Sequence, residues 1–289
     1  MDYFTPLPGL DRPVDFSSST LLLPQPSLAS LAQLGSELIV SNLHLDRIGF
    51  LGLKDHVPAV SGLDGLSGQD AHPQGISYSV EVFQTPSRSL TVVLPRSPVI
   101  KARRLHYLDS MKIFILQGQF REVLIVAGVD AALRNDEGLN SSSPLRHFLL
   151  PSSSPSHLPL QAVSTPYSSS AAPSTRTLPL MPHGGLTRKL LEALSGLEQS
   201  PPISALLIYT FETTDPSTAF FLADALSVVL REQLQGLEQG LDKLHLGAGE
   251  TGEGVIGDGV GVQWRVPKSW EHGLMGSELP LDQRTELFG

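Results

Sequence analysis

The stretch from Thr20 to Gly52 limits the fold more than any other part of this 289-residue chain. It opens on an apolar run, Thr20-Leu21-Leu22-Leu23, closed by Pro24. Leu28, Leu31, Ala32, Gly35, Leu38 and Ile39 then recur three or four apart or side by side, which places them on one face of a helix. Ser27 can cap that helix, its hydroxyl accepting from a first-turn N–H. A second run, Arg47-Ile48-Gly49-Phe50-Leu51-Gly52, reads as a strand. Strand, amphipathic helix, strand is the unit that builds parallel sheets with helices on their faces. Such units often cradle a nucleotide. Here the first connection, Leu23-Pro24-Gln25-Pro26-Ser27, has no glycine, and its two prolines remove two N–H donors a phosphate would need. The unit is therefore expected to form the rigid edge of a recognition scaffold.

The rest of the chain extends the same class. Residues 1–18 read as an extended arm. Ile76 to Gln84 alternates as a half-buried strand, and Leu90 to Leu94 returns from it after a turn too short for a helix, so the two should be antiparallel. Pro98 can open a helix to about Gly118, with Ala102, Leu105, Leu108, Met111 and Ile115 as its apolar stripe. Arg121 to Gly128 and Ile203 to Phe211 are continuous apolar runs, as strands buried on both faces require. Ser217 to about Leu237 reads as the longest helix, with Phe220, Phe221, Ala223, Leu226, Leu230 and Leu234 inward. The expected fold is α/β: a central mixed, largely parallel sheet flanked by helices, with one antiparallel hairpin. It forms a single domain over 1–289. Residues 151–177, dominated by Ser and Pro, are expected to be a disordered insertion within it. Residues 246–261 read as a flexible Gly/acidic loop and 281–289 as a mobile C-terminal tail.

Composition narrows function. The net charge is −9 and the densest basic cluster is only Lys101, Arg103 and Arg104, which argues against nucleic acid. The absence of cysteine removes disulfides, Cys-zinc sites and thiol nucleophiles. Without a signal peptide or an apolar run near the roughly 20 residues of a membrane helix, a soluble intracellular protein is expected, with no membrane partner. G-x-G-x-x-G occurs twice, at Gly247-Gly249-Gly252 and Gly252-Gly254-Gly257, but Glu250, Glu253 and Asp258 repel phosphate there. Gly184-Gly185 opens a helix at Thr187: it either holds an anion on backbone N–H groups or makes a tight turn for close helix–sheet packing. The nine histidines form no i, i+4 pair, and H-E-x-x-H and G-x-S-x-G are absent. No catalytic residue, metal ligand or cofactor site emerges from local motifs. Trp264 and Trp270 flank Arg265-Val266-Pro267-Lys268-Ser269 and serve either as core or as interface anchors. Leu287, Phe288 and Gly289 end the chain as either a frayed terminus or a plug, the ring filling a pocket and the carboxylate pairing with a lysine.

Several segments in order resemble the proteasome assembly chaperone family: Leu21-Leu22-Leu23-Pro24, Gln33-Leu34 through Ile48-Gly49-Phe50, Val57-Pro58, Glu81-Val82-Phe83 to Pro86-Ser87-Arg88, Gly184-Gly185-Leu186-Thr187 and Trp264 to Trp270. The resemblance implies an α/β chaperone without enzymatic activity or cofactor, located in cytoplasm and nucleus. It implies a heterodimer with proteasome assembly chaperone 1 on the 20S proteasome α subunits, promoting α-ring assembly and preventing off-pathway ring dimers. Family tails of the type hydrophobic–Tyr–any insert between α subunits. Leu287-Phe288-Gly289 has Phe for that Tyr and so lacks the hydroxyl's hydrogen bond. The alternative carried alongside is an α/β enzyme of nucleoside-phosphorylase-like type, or a small-ligand-binding protein, using Gly184-Gly185. It calls for a pocket there lined by basic and carboxylate groups.

Overall fold

The computed structural model describes residues 3–68, 73–134, 143–150, 155–167, 178, 181, 184–197, 200–212, 216–235, 237 and 264–272. Its strands are β1 (Phe4–Pro6), β2 (Thr20–Pro24), β3 (Asp46–Leu51), β4 (Val60–Gly62), β5 (Ile76–Tyr78), β6 (Val80–Gln84), β7 (Leu90–Pro95), β8 (Glu122–Asp130), β9 (Leu145–Leu149), β10 (Thr165–Pro166) and β11 (Ile203–Thr210). Its helices are α1 (Leu31–Asn42), α2 (Arg104–Gly118), α3 (Gly185–Ser195), α4 (Pro216–Val229) and α5 (Lys268–His272).

Nine strands form one sheet in the order β1-β3-β6-β7-β2-β8-β11-β9-β10, and β4 pairs with β5 in a separate two-stranded sheet. The middle four, β7-β2-β8-β11, are parallel. The pairs β6–β7, β3–β6, β1–β3 and β9–β11 are antiparallel, so the sheet is mixed with a parallel centre. Strands β2 and β3 do run in the same direction, but the β6–β7 hairpin lies between them. The opening strand is therefore the fifth of nine, at the middle of the sheet and not at an edge. All five of its residues are buried.

A central strand has no face left for water, and its side chains alternate between the two faces. Leu22 joins Val92, Leu124, Val126, Leu206 and Ile208 under α1 and α4. Leu21 and Leu23 join Val93, Val123, Ile125, Ala205 and Leu207 under α2 and α3. The result is helix, sheet, helix. Gly35 fits this plan because a Cβ there would lie 3.0 Å from Leu222 of α4, so its bare backbone lets the two helices approach.

Several local expectations change. Ser27 does not cap α1; its Oγ accepts instead from Gly128 N at 2.8 Å, and Ala29 and Ser30 turn left-handed before the helix begins at Leu31. The arm is tied to the sheet through β1, with Tyr3 and Phe16 in the core. Strand β6 is buried throughout, not half-buried, because both its faces are covered: Val80 and Val82 join the layer under α2 and α3, and Phe83 the layer under α1 and α4. In α2 the inward residues are Tyr107, Leu108, Met111, Phe114 and Ile115, whereas Leu105 points outward and is 78% exposed. Helix α4 stops at Val229, well short of Leu237, with Phe220 and Phe221 only partly buried. Within the segment expected to be disordered, residues 155–167 are placed. Leu158 and Leu160 are buried in the core, and β10 runs parallel to β9. Two leucines suffice to anchor a Ser/Pro-rich run that composition alone assigns to solvent. The remainder of 151–177 and all of 246–261 lie outside the described residues.

Leu22→Ala and Leu23→Ala delete buried atoms from opposite layers, and each is expected to lower stability by about 2–5 kcal/mol. Urea denaturation checks this. A cost below about 1 kcal/mol at both positions would contradict the two-sided core.

Candidate functional site

The segment that carries both tryptophans is held by groups spread over the whole chain. Trp264 and Trp270 are 8% and 3% exposed and belong to the layer under α1 and α4. Trp264 Nε1 donates to Asp224 Oδ1 of α4 at 2.7 Å, and Trp270 Nε1 donates to Glu37 Oε2 of α1 at 3.2 Å. Between them Asn42 brackets Arg265: its Nδ2 donates to the Arg265 carbonyl and its Oδ1 accepts from the Arg265 N–H, each at 2.9 Å. Ser67 N donates to the Val266 carbonyl and Lys268 N to the Gly65 carbonyl. Each indole thus buries its ring and finds an acceptor for its N–H, which a core position for Trp requires. The tryptophans pack into the chain's own core and end at α5.

Beneath Trp270 runs a chain of alternating charge. Glu37 pairs with Arg96, Arg96 Nε with Glu81 Oε2 at 2.9 Å, and Glu81 with Arg47. The Glu81 side chain is fully buried, whereas the two arginines keep 21% and 29% exposure. Burial by itself would lower the Arg96 pKa; the carboxylates of Glu37 and Glu81 outweigh it and hold it above the usual arginine value. Two acids and two bases close without net charge, so no buried ion is left unpaired. This cluster ties α1, β3, β6 and the end of β7 to α5. Nothing in the sequence flags it, because its members lie as far apart as Glu37 and Trp270.

A second cluster surrounds Asp55, whose side chain is fully buried. Arg103 Nε approaches Oδ1 at 2.9 Å and His106 Nδ1 approaches Oδ2 at 2.8 Å. Ser110 Oγ lies 3.4 Å from the same His106 Nδ1. Acid, imidazole and hydroxyl sit together, yet both contacts fall on one ring nitrogen. A Ser–His–Asp relay needs the acid on one nitrogen and the nucleophile on the other. The cluster instead clamps the 53–55 turn to α2.

Gly185 has φ +52°, which glycine adopts without strain, and a Cβ on Gly184 would crowd Met181 and Arg188 at 2.9–3.1 Å. Both glycines are accounted for by a tight turn and close packing. Arg188 beside them is paired with Glu192. A cavity of about 250 Å³ lies elsewhere, along β9 and β10, lined by His147, Phe148, Leu158, Tyr167 and neighbours, with no carboxylate and no arginine or lysine. It lacks the lining that the enzyme alternative calls for. Among the described residues no group of three or more His, Asp or Glu is placed to hold a metal, and no helix is long and apolar enough to cross a membrane. Leu287, Phe288 and Gly289 lie outside the described residues.

Trp270→Phe keeps the ring but removes the donor to Glu37 and is expected to cost about 1 kcal/mol, whereas Trp270→Ala should cost about 3–5 kcal/mol. Urea unfolding followed by far-ultraviolet circular dichroism checks both values; no cost for Trp270→Phe would show that the Glu37 bond is irrelevant, and equal costs for the two variants that ring packing is. A pH effect follows from His56, 3% exposed, with Nδ1 3.2 Å from the Gly52 carbonyl. Burial holds its imidazole below the usual histidine range, although that carbonyl and Asp55 pull it upward. Burial acts likewise on His147. With folded pKa values depressed, the unfolded chain takes up these protons first. Stability should be full above about pH 6.5 and fall below it. His56→Gln should flatten that slope in denaturation measured at several pH values; an unchanged slope would rule His56 out as its source.

No family model matches the chain. Curated relatives do. Over 277 residues it is 26% identical to proteasome assembly chaperone 2 of Homo sapiens, covering 92% of this chain and 95% of that one. The Bos taurus protein of the same name is 26% identical over 95% of this chain and 98% of its own. That of Nematostella vectensis is 30% identical over 147 residues, 50% of this chain and 59% of that one. Among solved structures, two crystal forms of Pyrococcus furiosus PbaA, described as an archaeal homolog of proteasome-assembly chaperone, share the fold. Their TM-scores are 0.50 and 0.51 at 14% identity, over 81% and 84% of this chain and 93% and 90% of theirs. With the α/β sandwich and the collinear alignment in hand, the chain is a homologue of the proteins named proteasome assembly chaperone 2, over nearly its whole length.

Proposed function

We propose that this protein is a non-enzymatic chaperone of 20S proteasome assembly. It acts as a heterodimer with proteasome assembly chaperone 1, on the α-ring, in cytoplasm and nucleus. There it promotes ring formation and blocks off-pathway ring dimers. The observation that carries this reading is the alignment with proteasome assembly chaperone 2 along 92–95% of the chain, so that the resemblance is not confined to one motif. The site geometry is in keeping with it. The polar clusters around Glu81 and Asp55 fasten elements together, and neither holds an acid, a base and a nucleophile in relay. The working parts are then surfaces and the Leu287-Phe288-Gly289 end.

The direct test is purification of the tagged protein at native stoichiometry. Recovery of proteasome assembly chaperone 1 with α subunits, in particles lacking mature β subunits, supports the reading. Recovery of this protein alone overturns it. Deleting Leu287 to Gly289 is expected to weaken α-ring binding roughly ten- to a hundredfold, since a buried Phe ring is worth about 2 kcal/mol. The heterodimer should be spared. Unchanged affinity for purified α-rings would show the tail to be passive.

A further inference from the structure

Helices α2 and α3 cover the same face of the sheet but end differently at their outer surfaces. On α3 the exposed positions are Gly185, Lys189 and Glu192, with Glu192 paired to Arg188. That is an ordinary solvated face. On α2 the outer positions include Leu105, Ile113 and Leu116, which are 78%, 51% and 40% exposed. Residues 105, 109, 113 and 116 fall at i, i+4, i+8 and i+11, so Asp109 sits in the middle of one apolar stripe. Since Tyr107, Leu108, Met111, Phe114 and Ile115 face inward, α2 is apolar on both sides. A helix of that kind is normally enclosed, and here one side is enclosed by nothing in the described chain.

Charge identifies what fits. Lys101 and Arg104 are exposed at the start of the stripe, and Lys112 borders it. Among the described residues none of these three forms an ion pair, and neither does Asp109. In a chain of net charge −9 this is a local basic margin around a single acid. A second copy of the chain does not complement it: two such stripes crossing at their midpoints would face Asp109 with Asp109 and bring no carboxylate to Lys101 and Arg104. Like charges opposed in a desolvated contact select against self-pairing. We propose that the outer face of α2 is the surface that binds the partner subunit. That partner would present an apolar helix with a cation opposite Asp109 and carboxylates toward Lys101 and Arg104. The proposal rests on the heterodimer described above and adds its location and chemistry.

The test uses the full chain with proteasome assembly chaperone 1, combined as purified proteins or co-expressed. Leu105→Asp with Ile113→Asp alters only exposed side chains, so the circular dichroism spectrum and Tm should be unchanged. Heterodimer affinity is expected to fall at least a hundredfold. Asp109→Leu, which removes the opposed charge, is expected to produce a concentration-dependent homodimer in light scattering where the unsubstituted chain stays monomeric. Affinity of the double variant within threefold of the parent overturns the surface while leaving the heterodimer standing. No complex with the unsubstituted chain overturns the heterodimer and this surface together. A homodimer of the unsubstituted chain that the double variant abolishes would make the occupant a second copy and overturn the proposed partner.

Discussion

Everything in this molecule follows from a central strand with no side given to water. Leu21 and Leu23 go one way from β2 and Leu22 the other, and each direction must meet a helix layer. Parallel neighbours on both sides then require long returns, in which α1, α2 and α3 lie. The bare backbone at Gly35 lets one layer close tightly. The hairpin β6–β7 is accommodated by insertion between the two strands of the opening strand–helix–strand unit, which explains why β2 and β3 are parallel without touching.

Covering an apolar layer leaves polar groups to be settled at its margins, and the chain does so with charge. Glu81 is enclosed entirely and paired with both Arg47 and Arg96. Arg96 in turn reaches the carboxylate that receives the Trp270 N–H. Because each member has partners on two sides, these contacts fix the positions of helix, strand and terminal segment relative to one another. The Asp55 clamp does the same for α2. Acid, imidazole and guanidinium groups are engaged here in fastening elements of the fold to one another.

Much of this was legible in the sequence where local chemistry decides structure. The runs at β8 and β11 are continuous and apolar, and only a doubly covered strand accepts that. The β6–β7 hairpin follows from a connection too short for anything but a turn. The Trp264–Trp270 motif stood out, but whether it was core or interface depended on acceptors at Glu37 and Asp224 that no spacing reveals. Ser27 carried a cap signal and was claimed instead by Gly128, a competition settled by tertiary contact. Leu105 matched the helical period of α2 and still faces outward, because a helix apolar on both sides offers two stripes and the pattern does not say which one the sheet takes. The segment around Leu158 and Leu160 was hidden by its Ser/Pro surroundings. Leu287 to Gly289 rest on resemblance alone.

The order in which the layers close has its own meaning. The face under α1 and α4 is finished by residues 264–272, and the bond from Trp270 to Glu37 spans 233 positions. On a ribosome the opposite face has its helices α2 and α3 by residue 195, while this one waits for residues 264–272 to emerge. Contacts of such long separation are also the slow ones in folding. The nascent protein therefore carries an incompletely closed apolar layer for as long as the chain between α4 and residue 264 is being made, while the other face already has both its helices.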